Sequence, residues 1–384
     1  MNRRRIALWA LAMLLLFAVA GCTAGGQEDS TPSPNFEPSP TQTAPALTPK
    51  NRVDELLAAM TVEEKVGQMF LARCPEVGGG AFAERYALGG YVLFGRDFKD
   101  CTPQQVRERV ASYQAAAKVP MLIAVDEEGG TVVRVSRYPA FRPEPFQAPR
   151  EVYANGGLDA LRADAAEKSE LLLSLGINVN LAPVCDLSDN SSDFIYDRSL
   201  GGDGETVGEC VSAIVETMNK KEIGSVLKHF PGYGNNADTH TGIAYDRRAL
   251  ETFEQADFVP FRAGIEAGAG GVLVSHNIVF AMDDALPASL SPEVHRILRE
   301  ELGFDGVVIT DDLAMDAIGQ FTDGETAAVL AVEAGNDLLC CSDVETQYPA
   351  VLEAVQSGRI TEERLDESVR RVLLWKLKLG LLEQ

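Results

Sequence analysis

Two stretches of this chain run an apolar strand into a tip whose residues could do chemistry. The first is Lys228-His229-Phe230-Pro231-Gly232-Tyr233-Gly234, followed closely by Asp238-Thr239-His240. The second, Val307-Val308-Ile309-Thr310-Asp311-Asp312, ends in two carboxylates. An imidazole with a carboxylate two residues away, and another carboxylate fixed at a strand end, suit acid–base chemistry with a covalent intermediate. Asp238 would orient the His240 ring and raise its basicity. The alternative is a flexible surface loop, rich in Gly232, Gly234, Asn235 and Asn236, in which Asp-Thr-His is incidental. Asp126 and Asp311 also have a second role open to them, because Asp is a preferred helix N-cap. Asp312, directly before Leu313-Ala314-Met315, fits the cap well and leaves Asp311 to face inward.

The chain has four histidines. His229, His240 and His276 fall at or just after strand ends, whereas His295 sits in a helical pattern and is expected at the surface. Three histidines near carboxylates could hold zinc. No pair has a tight ligand spacing such as HExxH, so neither a metal nor any other cofactor is expected.

Elements that place these groups follow from alternation. Short apolar runs at 66–72, 90–94, 121–125, 178–182, 225–228, 271–275, 307–310 and 337–339 read as strands. Amphipathic stretches at 103–118, 158–175, 206–221, 250–267, 292–301, 325–334, 345–357 and 361–379 read as helices. Eight strands alternating with helices give an α/β fold, a single (β/α)8 TIM-type barrel. An open doubly wound sheet would want a Gly-rich turn after the first strand, and that strand leads only to Arg73-Cys74-Pro75. Polar tips recur at one end of the strands: Asp126-Glu127-Glu128-Gly129-Gly130, Asp186, Lys228-His229, Ser275-His276-Asn277 and Asp311-Asp312. One pocket at the barrel mouth could collect them.

Residues 1–21 read as a lipoprotein signal peptide: Arg3-Arg4-Arg5, an apolar run from Ile6 to Ala20, then Val19-Ala20-Gly21-Cys22. A lipidated Cys22 would anchor the mature chain outside the cytoplasm, touching the membrane through the lipid alone. Residues 22–50, dominated by Gly, Ser, Thr, Pro and Gln, read as a flexible tether, and residues 51–384 as the catalytic domain. The formal net charge of −23 argues against nucleic acid as a partner. Of seven cysteines, the six beyond Cys22 have no metal-type spacing; export would permit disulfides, with Cys74–Cys101 sterically conceivable.

At these residues the chain resembles glycoside hydrolase family 3, in its β-N-acetylhexosaminidase branch. The resemblance rests on Asp126-Glu127-Glu128-Gly129-Gly130-Thr131-Val132-Val133-Arg134, on Asp197-Arg198-Ser199-Leu200-Gly201, on the stretch from Lys228 to His240, and on Leu302-Gly303-Phe304-Asp305-Gly306 running through Asp311-Asp312 to Met315. It spans nearly all of residues 53–381, in order. It implies that Asp311 is the nucleophile and that His240, paired with Asp238, is the acid and then the base. It also implies that Asp126, Arg134, Arg198, Lys228 and His229 hold an N-acetylglucosamine ring in the −1 subsite. An oxocarbenium-like transition state needs just such a carboxylate on one ring face and a proton donor at the leaving oxygen. Two departures stand out: Tyr233 replaces a second histidine, and the loop to Asp238 is one residue shorter.

The leading expectation is a monomeric retaining exo-β-N-acetylglucosaminidase acting on peptidoglycan-derived or chitin-type oligosaccharides. The alternatives are a β-N-acetylglucosaminide phosphorylase and a non-catalytic sugar-binding lipoprotein. Pure binding would need none of Asp311, Asp238 and His240.

Overall fold

The computed structural model describes residues 49–236, 244–315, 318, 321–322 and 327–382. Cys22, with the whole signal and most of the expected tether, and Asp238 and His240 lie outside the described residues. The first helix, Pro49–Ala59, begins two residues inside the stretch expected to be tether.

Eight parallel strands form the barrel. In chain order they are β1 Phe70–Arg73, β2 Gly90–Leu93, β3 Leu122–Val125, β4 Val179–Asn180, β5 Gly224–Phe230, then β7 Gly271–Val274, β9 Val307–Thr310 and β10 Leu339–Cys341. Each pairs with its neighbour in parallel, in the order β10-β1-β2-β3-β4-β5-β7-β9. A parallel bridge from Ile309 to Leu338 closes the ring. The remaining two, β6 Tyr245–Asp246 and β8 Ile278–Val279, pair as a separate ribbon.

The strands read as continuous apolar runs because both faces are buried. In β3, Leu122 and Ala124 join the cluster that fills the barrel with Val92, Val226 and Ile309. Ile123 and Val125, one residue on, pack outward beneath the helices. Trp375, on the C-terminal helix Glu362–Lys378, plugs the bottom. A Cβ added at Gly270 would fall 2.0 Å from its Nε1. With one end stoppered, the carboxyl ends of the strands are left as the open mouth.

Three expectations need correction. The strand expected from Val66 starts only at Phe70, because Val66–Gln68 belong to the helix Val62–Gln68. Its capping box, Thr61 with Glu64, satisfies two orphan helix-end donors and outweighs the β-preference of Val66. His295 is buried rather than on the surface: its helix Pro292–Arg296 lies against Gly335, where a Cβ would come within 3.0 Å of the His295 Cβ. Burial lowers its pKa. The conceivable Cys74–Cys101 disulfide is not formed, and the six described cysteines are free. Cys74 instead contacts the Tyr113 hydroxyl at 3.3 Å, and burial pushes its thiol up to about 11. The helix expected from Leu158 is present: non-helical geometry at Gly156 and Gly157 separates it from a preceding helical segment that begins at Pro149.

Candidate active site

A pocket of about 620 Å³ opens at the carboxyl ends of the strands. Asp126, Arg134, Arg198, Lys228, His229 and Asp311 all line it. They arrive from β3, its following turn, the loop after β4, β5 and the end of β9.

Its floor is a charge network. Lys228, only 2 % exposed, projects from β5 and places Nζ 2.7 Å from Asp126 Oδ1 and 2.6 Å from Glu128 Oε1. Arg198 takes the same Glu128 carboxylate in a two-pronged grip, with Nε at 2.9 Å and an Nη nitrogen at 2.8 Å. Burial would raise the Glu128 pKa, but Arg198 and then Lys228 outweigh it and hold the carboxyl well below the usual range. Burial likewise pulls Lys228 down, and Asp126 and Glu128 more than offset it, so the amine stays charged. Arg134 approaches Asp126 Oδ2 at 3.9 Å. Charges held in fixed positions by one another form a pre-organised surface for polar substrate groups.

The next layer fixes these side chains. Asp186 accepts from His229 Nδ1 at 2.7 Å, from the His229 backbone at 3.1 Å and from the Tyr233 backbone at 2.7 Å. The tautomer that satisfies both neighbours carries its proton on Nδ1, leaving Nε2 to accept from Arg198 at 3.1 Å. Glu127 points away from the pocket and accepts from the backbone nitrogens of Arg134, Val135 and Ser136 at 2.8, 2.7 and 3.1 Å. It thereby pins the turn that carries Arg134. Gly129 makes that turn possible: its φ is 104°, and a Cβ there would fall 2.2 Å from the Gln147 carbonyl.

Asp311 extends the pairing of β9 by one residue, its backbone nitrogen donating to Val274 O at 3.0 Å. Its Oδ1 accepts from the Asp312 backbone at 2.9 Å. The neighbouring carboxylate has other work: Asp312 accepts from the backbones of Ala314 and Ser342 and bonds the Ser342 hydroxyl. His276 and its neighbours Ser275 and Asn277 are fully buried. The His276 ring bridges Ser289 Oγ at 2.7 Å and Asp312 O at 3.0 Å, which supports the turn from behind rather than lining the pocket.

Sequence reasoning noted Glu127, Glu128 and Asp186 as polar strand tips and gave them no role. Three consecutive acids at 126–128 and an acid at the end of β4 were the available signal. Arg73 and Phe94, which line the pocket as well, carried no signal beyond lying at strand ends, and Phe194, in the loop after β4, carried none.

Residues 61–374 match the model of the glycosyl hydrolase family 3 N terminal domain. A beta-hexosaminidase of Stenotrophomonas maltophilia is 39% identical over 286 residues, covering 73% of this chain and 83% of that protein. The structure of a family 3 beta-N-acetylglucosaminidase from Paenibacillus sp. aligns with a TM-score of 0.78 at 33% identity, over 84% of this chain. The present chain spans 63% of the length of that protein. A beta-N-acetylhexosaminidase from Beutenbergia cavernae aligns with a TM-score of 0.74 at 30% identity, over 82% of this chain and 98% of its own. With a closed parallel barrel, a charged pocket at its mouth and a family match over most of its length, this chain belongs to glycosyl hydrolase family 3.

Proposed function

We propose that the protein is a retaining exo-β-N-acetylglucosaminidase that removes terminal β-linked N-acetylglucosamine from oligosaccharides. One observation carries this reading: the Asp311 carboxylate shares a pocket with the Lys228–Asp126–Glu128–Arg198 network. The network is rich in fixed donors and acceptors for sugar hydroxyls. Asp311 supplies the oxygen nucleophile beside them.

In this mechanism Asp311 Oδ attacks the anomeric carbon as the bond to the leaving oxygen breaks. His240, oriented by Asp238, gives that oxygen its proton, so the leaving sugar departs as an alcohol. His240 then takes a proton from water, whose oxygen displaces Asp311 from the glycosyl-enzyme. The charge network grips the ring hydroxyls in both steps and keeps the anomeric carbon over Asp311.

The rim favours substrates whose leaving sugar carries a carboxylate, as peptidoglycan-derived ones do. Arg73, exposed at the end of β1, lies over the Phe94 ring at 4.8 Å and has no salt bridge among the described residues. Lys228 and Arg198, deeper in the pocket, are already matched by acids. An acidic group on the substrate would complete the rim. We also propose that lipidated Cys22 holds the enzyme at the outer face of the membrane.

The direct test is hydrolysis of aryl β-glycosides that differ only at C2. Cleavage of the N-acetylglucosaminide well above the glucoside is expected, and the reverse order would overturn the reading. Running the reaction with and without phosphate separates hydrolysis from phosphorolysis through the product, free sugar or sugar 1-phosphate.

A further inference from the structure

The loop after β4 carries one residue of the pocket floor, Arg198, and one ring at the rim, Phe194. Of the large apolar side chains left exposed among the described residues, Phe194 is the one that lines the pocket, and it is 39 % exposed. Its neighbour Ile195 does the packing in this stretch, fully buried with Val184 and Tyr233. The loop is held firmly on both sides of the ring. Before it, the Asp193 carboxylate accepts from Ser188 Oγ at 2.8 Å and from Asn190 Nδ2 at 3.2 Å. After it, the backbone nitrogens of Arg198 and Ser199 donate to Ile195 O, each at 3.0 Å. The Phe194 ring leans on Tyr233, with centroids 5.6 Å apart and planes tilted by 41°, and Tyr233 in turn meets His229 edge-on at 5.6 Å. Phe194 is thus fixed in place with apolar surface open to the pocket.

That surface does not suit the sugar in the floor. The floor consists of matched charges, Lys228 with Asp126 and Glu128, and Arg198 with Glu128, which take hydroxyls. An exo-acting enzyme buries the terminal sugar there and lets the rest of the chain leave through the mouth, so the rim meets the leaving sugar. A pyranose carries its hydroxyls around its edge and presents C–H groups on its faces. An aromatic ring buries such a face without taking any hydroxyl from water. Phe94, the other phenyl ring in the lining, is already engaged, with the Arg73 guanidinium 4.8 Å above it. Phe194 is left as the stacking surface of the rim.

We propose that Phe194 is a specificity-determining residue on the leaving-group side: the sugar next to the scissile bond stacks on its ring. The ligand class is a pyranose in β-linkage to a terminal N-acetylglucosamine. The inference rests on the exo-β-N-acetylglucosaminidase reading and adds the residue that selects a sugar as leaving group. Stacking is present both before and during bond breaking, so it lowers KM and leaves kcat alone.

The test compares wild type, Phe194→Ala and Phe194→Tyr on two substrates. One is the neutral disaccharide of N-acetylglucosamine, and the other is N-acetylglucosaminyl fluoride, whose leaving group has no ring to stack. Phe194→Ala should raise KM for the disaccharide about tenfold and keep kcat within about twofold. On the fluoride its kcat/KM should change by less than about twofold. Phe194→Tyr keeps the ring and should stay close to wild type on both. Equal losses on both substrates would mean that Phe194 only props Tyr233 and His229, and would overturn the inference. A disaccharide loss carried by kcat, or one as large in Phe194→Tyr as in Phe194→Ala, would overturn it too. If folded wild type cleaves neither substrate, the proposed function falls and takes this inference with it. If wild type cleaves both and Phe194→Ala shows no split, the inference alone is wrong.

Discussion

Glu128→Gln is the sharpest probe of the pocket floor, because it removes one charge and almost no volume. The wild-type carboxylate is 1 % exposed and answers two cations at once, Arg198 through two hydrogen bonds and Lys228 at 2.6 Å. Gln keeps one acceptor for Arg198, and Lys228 keeps Asp126 at 2.7 Å. Breaking a buried pair on one side typically costs about 3–5 kcal/mol, since the remaining charge stays buried. The folded unit runs from Leu47 to Gln384. At about 2.1 cal/mol/K per residue its unfolding entropy is roughly 0.7 kcal/mol/K, so the melting temperature should fall by roughly 4–7 °C. The pH dependence has a definite sign. The folded pKa of Glu128 is depressed below the ordinary carboxylate value of 4.5, so its stabilisation is complete above that value and is lost as pH falls below it. The gap between wild type and variant should therefore be constant near neutrality and narrow in acid. Because Arg198 also sets the His229 ring, kcat/KM should drop by about 100-fold. Thermal melts across pH, with initial rates on an aryl N-acetylglucosaminide, read both effects. A variant that melts within about 1 °C of wild type and keeps its rate within about twofold would refute the electrostatic account of the floor.

Three further outcomes are expected. Lys376, fully buried with Nζ 2.6 Å from Gln68 Oε1, has its pKa lowered by burial to about 7. Its penalty is full below that pH and is relieved as pH rises toward 10.5, so Lys376→Met should gain stability over wild type most in acid, and an advantage that grows with pH in denaturant titrations would contradict this. Arg73→Met should lower kcat/KM about tenfold on a disaccharide whose leaving sugar bears a carboxylate, and leave the neutral disaccharide of N-acetylglucosamine within about twofold; equal effects would remove the case for an acidic leaving group. Cys22→Ser should release active enzyme into the medium with unchanged rates on small substrates, whereas variant protein that stays in the membrane fraction would contradict the lipid anchor.

The barrel was legible because strands buried on both faces are short apolar runs, and their tips carry Asp, His and Gly in abrupt contrast. Asp126, Lys228, His229 and Asp311 stand out for that reason. The pairings among them were not legible, because they are non-local: Asp126 meets Lys228 across 102 residues and Glu128 meets Arg198 across 70. Glu128 therefore looked like one acid among three. Asp186 is another such case, an ordinary acid in the sequence that fixes both His229 and the start of the loop after it. Local rules also misled where a competing signal was overlooked. Val66 has the side chain of a strand residue, but the Thr61–Glu64 box starts a helix before it. His295 has helical spacing suited to a surface, but Gly335 on a distant element makes room for it inside.

In the proposed reaction Asp311 becomes covalently linked to the sugar. A fluorinated N-acetylglucosaminide with a good leaving group should form its glycosyl-enzyme faster than it is hydrolysed. Mass spectrometry of the digested protein should then find the sugar mass on the peptide containing Asp311, and Asp311→Ala should neither label nor turn over while it still folds. Label on Asp312, or full turnover with no covalent sugar, would contradict it.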